Sequence, residues 1–213
     1  MVRTIPRAFA AVLALGAMVA AESAVAAPAT CKPKRLDLSL PVAGHDLSKD
    51  AGARKLIGTD YKRLDVNRET DFPWAVFLST DGTQSLAMMS HPGGTQYDYQ
   101  EYEIKYLSLS KKDVLGESVA YYIGHEIPDQ KLPAREFVTG GGIRLGVTKN
   151  VVTARMGPCN RIFKRRGDME TIRYVLEGEN HPLLKKHGMP STYAEYQFKR
   201  GRLVRFRFGF DPV

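Results

Sequence analysis

The residues with chemical potential sit in short, separate runs. "GGGIRLG", Gly140 to Gly146, is the densest. A phosphate-binding glycine loop needs G-x-G-x-x-G, or a glycine run ending in Gly-Lys-Ser/Thr, so that backbone N–H groups converge on an anion. Leu145 stands where the last glycine is required and no lysine follows, so these glycines read as a tight turn and a strand-to-helix corner. "GHEIPD", Gly124 to Asp129, begins like a zinc-protease helix, but no histidine lies four residues beyond His125 and Pro128 breaks the helix such a site needs. "GESVA", Gly116 to Ala120, lacks the second glycine of a nucleophile elbow, and "SLSK", Ser108 to Lys111, follows an alternating strand instead of opening a helix. His181 and His187 in "HPLLKKHGMP" supply two metal-type ligands without a third, and His91 precedes a Pro-Gly-Gly turn. Catalytic residues, cofactors and metals are therefore not expected.

The basic residues are more informative. In "YAEYQFKRGRLVRFRFGF", a turn at Arg200-Gly201 precedes a run that places Val204, Phe206 and Phe208 on one face and Arg205 and Arg207 on the other. With Lys199 and Arg202 beside the turn and "KRR" at Lys164 to Arg166 elsewhere, these residues form a candidate cationic surface for an acidic protein. The competing reading is a charged strand that stays solvated and resists edge pairing. On the first reading, Arg205→Glu with Arg207→Glu is expected to leave folding intact and weaken partner capture. Tyr97, Tyr99, Tyr102 and Tyr106 offer aromatic anchors, with Tyr102 and Tyr106 expected in the core.

These groups need a compartment and a scaffold. The first 26 residues place Arg3 and Arg7 before an apolar run and end in "AVAA", the pattern of a secretory signal cut after Ala26. The apolar run falls short of the roughly 20 residues that span a bilayer, so no transmembrane segment is expected. Losing Arg3, Arg7 and Glu22 lowers the formal charge from +8 to +7, a balance that in an exported chain points away from nucleic acid. Cys31 and Cys159, outside any Cys-x-x-Cys, read as one disulfide worth about 4 kcal/mol in the chain-entropy account.

Two segments have helix punctuation. Ser48 is the expected cap of "SKDAGARKLIG", with Asp50 in its first turn and Gly58 at its end; Thr148 is the expected cap of "TKNVVTARMGP", with Val151, Val152 and Met156 inward and Gly157-Pro158 as the stop. The two units start and end alike about one hundred residues apart, which leaves a degenerate tandem repeat and coincidence both open. Elsewhere, Asp81-Gly82 marks a hairpin between "WAVFLST" and "QSLAMMSH", and "YEIKY" alternates with Tyr102, Ile104 and Tyr106 on one face. The expected class is α+β, a mostly antiparallel sheet with short helices packed on one face.

The segment "LGVTKNVVTARMGP" resembles the motif of the SmpA/OmlA family and its beta-lactamase-inhibitor-like relatives. The matching positions are Gly146, Thr148, Val152, Met156, Gly157 and Pro158, and "IRYVL", "YAEYQF" and "RLVRFRF" follow as the family's later strands. The resemblance covers about the last third of the chain. It implies a short helix on an antiparallel sheet and a non-catalytic protein that binds envelope or secreted proteins.

The reading divides the chain into a signal peptide at 1–26, an N-terminal α+β region at 27–135 and an SmpA/OmlA-like region at 136–213. It expects a periplasmic or secreted, non-enzymatic protein that binds an envelope protein through its sheet face. Lys199, Arg202, Arg205 and Arg207 are the contact residues. An inhibitor of a secreted or periplasmic enzyme and an envelope hydrolase with a triad of distant residues are the alternatives.

Overall fold

The computed structural model describes residues 36, 39–58, 63–65, 73–90, 99–109, 130–158, 161–178 and 180–211, with backbone alone at 63–65, 73–74, 161–163 and 211. The signal segment, Cys31, Cys159, His91, Tyr97, Ser118 and His125 lie outside the described residues.

A small antiparallel ladder of β1 (Pro41–Val42) and β2 (His45–Asp46) leads into helix α1 (Asp50–Ile57). Strands β3 (Arg63–Asp65), β4 (Pro73–Leu78), β5 (Gln84–Ser90) and β6 (Tyr99–Tyr106) follow. Then come α2 (Lys149–Met156), β7 (Arg161–Arg166), β8 (Met169–Glu177), α3 (Pro182–His187), β9 (Ser191–Lys199) and β10 (Arg202–Asp211). One eight-stranded sheet results, in the order β3-β4-β5-β6-β10-β9-β8-β7. Each half is a meander of four consecutive strands, and the last strands of the two, β6 and β10, pair antiparallel at the centre.

Local chemistry accounts for the tight turns. At the β4–β5 corner the Asp81 carboxylate accepts from Ser79 Oγ at 2.7 Å, Thr83 N at 3.0 Å and Thr83 Oγ1 at 2.8 Å. These bonds, the one to the Thr83 backbone foremost, hold the exposed carboxyl down at about 2. At the β9–β10 corner Arg200 and Gly201 both take positive φ, 50° and 74°, as a two-residue hairpin turn matched to strand twist requires.

One face of the sheet carries the apolar core. Phe208 of β10 stacks on Tyr102 of β6 at 5.1 Å, and Tyr196 and Phe206 continue the aromatic layer. Ala53 of α1 and Val152 and Met156 of α2 are buried in the same cluster. At roughly 1.5–3 kcal/mol for each large apolar side chain fully buried, this layer is a principal source of stability. The mostly antiparallel sheet with a few short helices agrees with expectation.

Three local expectations are corrected. Ser48 does not cap α1: its hydroxyl donates to Asp46 Oδ1 at 2.7 Å, and Lys49 takes the cap position. Val151 is 37% exposed, so α2 packs through Val152 and Met156 alone. In β10 a bulge between Leu203 and Arg205 shifts the alternation, so Leu203 enters the core while Val204 is only half-buried.

Candidate functional site

The opposite face of the sheet is built from the other side-chain parity and is polar at its centre. Strand register sets Glu103 of β6, Arg207 of β10, Glu195 of β9 and Arg173 of β8 in one row, alternating in charge across four strands. Glu101 and Arg205 flank that row. Arg205 reaches diagonally to Glu103, with Nη2 at 2.8 Å and Nε at 3.1 Å, and its Nη1 lies 3.2 Å from Glu195. Arg207 pairs with Glu101, and Arg173 lies 3.7 Å from the second Glu195 oxygen. The Tyr193 ring is bracketed by two guanidinium groups, Arg173 at 4.2 Å and Arg207 at 5.6 Å from its centroid.

Burial sets the electrostatics. It pushes the Glu101 carboxyl up despite Arg207, and pushes the Lys105 ammonium down despite Glu103. Tyr193 is held well above the usual phenol range, first by burial and then by the Glu101 charge. Its hydroxyl is enclosed near that carboxylate without a hydrogen bond of good geometry. Opposite charges are matched one against another here, an arrangement suited to holding two half-sheets in register. A free nucleophile beside a general base is not part of this network.

The four basic residues of the sequence reading fall in two places. Arg205 is 1% exposed and Arg207 19%, both in ion pairs, so the expectation that they project into solvent is corrected. Reversing both charges would set like charges against Glu101, Glu103 and Glu195 in a buried site, and the double variant is now expected to fail to fold. Lys199 and Arg202, by contrast, stand at the outer end of the sheet. There the register runs Arg166, Met169, Lys199, Arg202 across β7, β8, β9 and β10. Lys164, Arg165, Arg166, Arg200 and Arg202 are exposed at or beside these two hairpin ends, so "KRR" and the Arg200 turn do converge. The acidic residues among them are Asp168, 3.4 Å from Arg200, and Glu170, 3.1 Å from Lys149 and 4.0 Å from Arg165.

Glu101, Glu103, Arg173, Tyr193 and Glu195 were missed from sequence. The signal was present as acidic residues in "QEYEIK" and "AEYQ" with the same parity as the arginines of "RFRF". Pairing them required the strand order, which places β6 beside β10 although about one hundred residues separate them.

The other chemical candidates resolve into scaffold. Gly142 and Gly146 have φ of 77° and 81°; the first closes a turn whose amide donates to Thr139 O, and the second donates to Leu203 O at 2.7 Å, tying the entry to α2 onto β10. His181 is the N-cap of α3, its Nδ1 accepting from Leu183 N at 3.3 Å, while His187 ends the helix with its ring tilted against Phe210 at 4.8 Å. A rise of about 1.5 Å per residue sets the two histidines at opposite ends of α3. Among the described residues no three His, Cys, Asp or Glu side chains form a metal-binding group, and no helix is long and apolar enough to cross a membrane. Compared with family models, curated proteins and solved structures, the chain finds no match in any of the three.

Proposed function

We propose that this chain is a periplasmic or secreted binding module without catalytic activity, which holds an acidic region of an envelope or secreted protein against the basic end of its sheet. The observation that carries the reading is the convergence of Lys164, Arg165, Arg166, Lys199, Arg200 and Arg202 on two adjacent hairpin ends, with Asp168 and Glu170 as the acidic residues beside them among the described residues. The contact surface thus moves from the sheet face to the sheet end, because Arg205 and Arg207 on the face are largely buried in their ion pairs whereas the cations of the end are mostly exposed. Exposed charges of one sign raise association rates for an acidic partner and weaken with salt.

We also read the fold as a degenerate tandem of two units, each a short helix followed by a four-stranded meander. Helices α1 and α2 are both eight residues long and both end at a glycine with positive φ and extended ψ, Gly58 and Gly157. The symmetric meeting of β6 and β10 supports the same reading. So does the likeness of the second unit to SmpA/OmlA and inhibitor-like domains, whose helix and later strands correspond in order to α2, β8, β9 and β10.

The test is capture from an envelope fraction with the full processed chain and with Arg166→Glu/Arg200→Glu. A discrete acidic protein held by the first, lost by the second and released by moderate salt supports the proposal. Equal capture by both, or none by either, overturns it.

A further inference from the structure

Strand β7 (Arg161–Arg166) is the outermost strand at one end of the sheet and pairs with β8 alone among the described residues. Its six residues keep an uninterrupted register with β8, whereas β3 at the opposite edge has three. The two-residue loop Gly167-Asp168 decides which backbone groups of β7 point outward. Gly167 takes φ of 63°, suited to the first position of a tight hairpin turn, and such a loop makes Arg166 and Met169 the hydrogen-bonded closing pair. Antiparallel pairing alternates, so Arg166 and Lys164 aim their N–H and C=O groups at β8, and Arg165 aims its own outward.

An edge of this kind is a template for a further strand. Proline and a bulge, two devices that block such pairing, are absent from β7. A third device, charge, is present with one sign: Arg161, Lys164, Arg165 and Arg166 are the charged residues of the strand, and all are cations. Lys164, Arg165 and Arg166 are exposed, and Lys164 and Arg166 make no ion pair among the described residues. Arg165 comes within 4.0 Å of Glu170. Like charges directly opposite destabilise a strand pair, so this edge repels a second copy of itself and favours a strand that brings carboxylates. Three consecutive cations project to both faces of the sheet, which calls for consecutive acidic residues in the added strand.

We propose that the outer edge of β7 receives an extended acidic segment of the partner as a further strand, with carboxylates set against Lys164 to Arg166. The inference rests on the proposed binding of an acidic protein at this sheet end and adds how the partner is held. The Arg165 N–H donates to the added backbone and the Arg165 C=O accepts from it, while the charges choose the sequence. Charge attraction without strand addition would place no demand on the partner's backbone N–H groups.

The experiment titrates the full processed chain at low salt with dye-labelled Thr-Val-Glu-Glu-Glu-Thr-Val, followed by fluorescence anisotropy. Saturable binding at one site per chain is expected, with slower hydrogen exchange of the Arg165 amide in the complex. The same peptide N-methylated on two adjacent glutamates keeps its charge but loses a donor on each edge, and should bind about tenfold more weakly. Arg165→Pro removes the outward donor where an edge strand tolerates proline, and should weaken binding beyond Arg165→Gln, which removes only the charge. Melting temperatures show whether both variants remain folded, and the peptide pair decides without them. Equal affinity of the two peptides, or unchanged Arg165 exchange on binding, overturns strand addition and leaves acid binding at the sheet end standing. Absence of binding by either peptide also overturns the inference, and capture from the envelope fraction then decides the broader reading separately. Self-association of the chain that protects Arg165 in place of the peptide gives the edge to a second copy and overturns the proposal.

Discussion

Arg205 and Glu103 meet across the seam between β10 and β6, 2.8 Å apart, with 1% of either side chain exposed. A charge pair so enclosed gains little net stability over a well-packed apolar pair, but becomes costly when only one partner is removed. It therefore acts chiefly against the wrong register. A one-residue slip of β10 on β6 would turn Arg205 toward the core face and take it away from Glu103 on the other.

Arg205→Met is accordingly expected to destabilise the protein by about 3–5 kcal/mol, because Glu103 would stay buried without the guanidinium that lies 2.8 Å from it. Adding Glu103→Leu should recover more than half of that loss. Urea unfolding of the two single variants and the double variant measures the coupling directly. A double variant no more stable than Arg205→Met would show that the pair is not the controlling interaction.

Asp81 gives a pH dependence with a definite sign. Its pKa falls from 3.8 to about 2 on folding, through bonds from the Thr83 backbone, Ser79 and the Thr83 side chain. A lowered folded-state value means stability that is fully present above 3.8 and lost as the pH falls toward 2. The stability difference between the native chain and Asp81→Ala should therefore be greatest above that window and shrink through it. A difference independent of pH would remove the carboxylate from the account of this hairpin.

Helix α2 offers a paired test of packing. Met156 is 1% exposed and its sulfur receives the Tyr196 hydroxyl at 3.4 Å, whereas Val151 is 37% exposed. Met156→Ala is expected to cost about 2–5 kcal/mol, and Val151→Ala to stay within about 0.5 kcal/mol of the native chain. Chemical denaturation of both variants decides, and similar losses would contradict the orientation of the helix.

These cases mark what was legible in the sequence. The Asp81-Gly82 and Arg200-Gly201 turns, the glycine stops of α1 and α2 and the alternation of β6 are local, and local chemistry specified them. The charged row was not legible, because its members come from four strands whose order no local pattern reveals. "RFRF" alternates like any strand with one wet face, and nothing in it states that Glu101 and Glu103 wait opposite. For the same reason Arg205 was placed in solvent, while Lys164 to Arg166 and Lys199 to Arg202 could be gathered only after register joined their hairpins. Ser48 failed as a cap because Asp46, two residues earlier, competes for its hydroxyl, a contest that capping preference alone does not register.

Gly209 concerns the joint between the two meanders. It stands opposite Glu101 on β6 and Tyr193 on β9, and its carbonyl accepts from Thr192 Oγ1 at 2.6 Å. A Cβ added here would run into the Gln100 carbonyl oxygen and lie 2.8 Å from Glu101 Cα, both belonging to β6 backbone that no side-chain rotation can clear. Gly209→Ala must therefore push β10 from β6 at their shared end, and a cost of about 1–3 kcal/mol follows from overpacking alone. Because that end also carries the bulge at Gln100, the strain should appear as faster amide exchange along Tyr99 to Glu103, while the hairpin of β4 and β5 keeps its protection. Uniformly faster exchange would indicate general destabilisation, and an unchanged pattern at full stability would mean that the seam yields more readily than its backbone contacts imply.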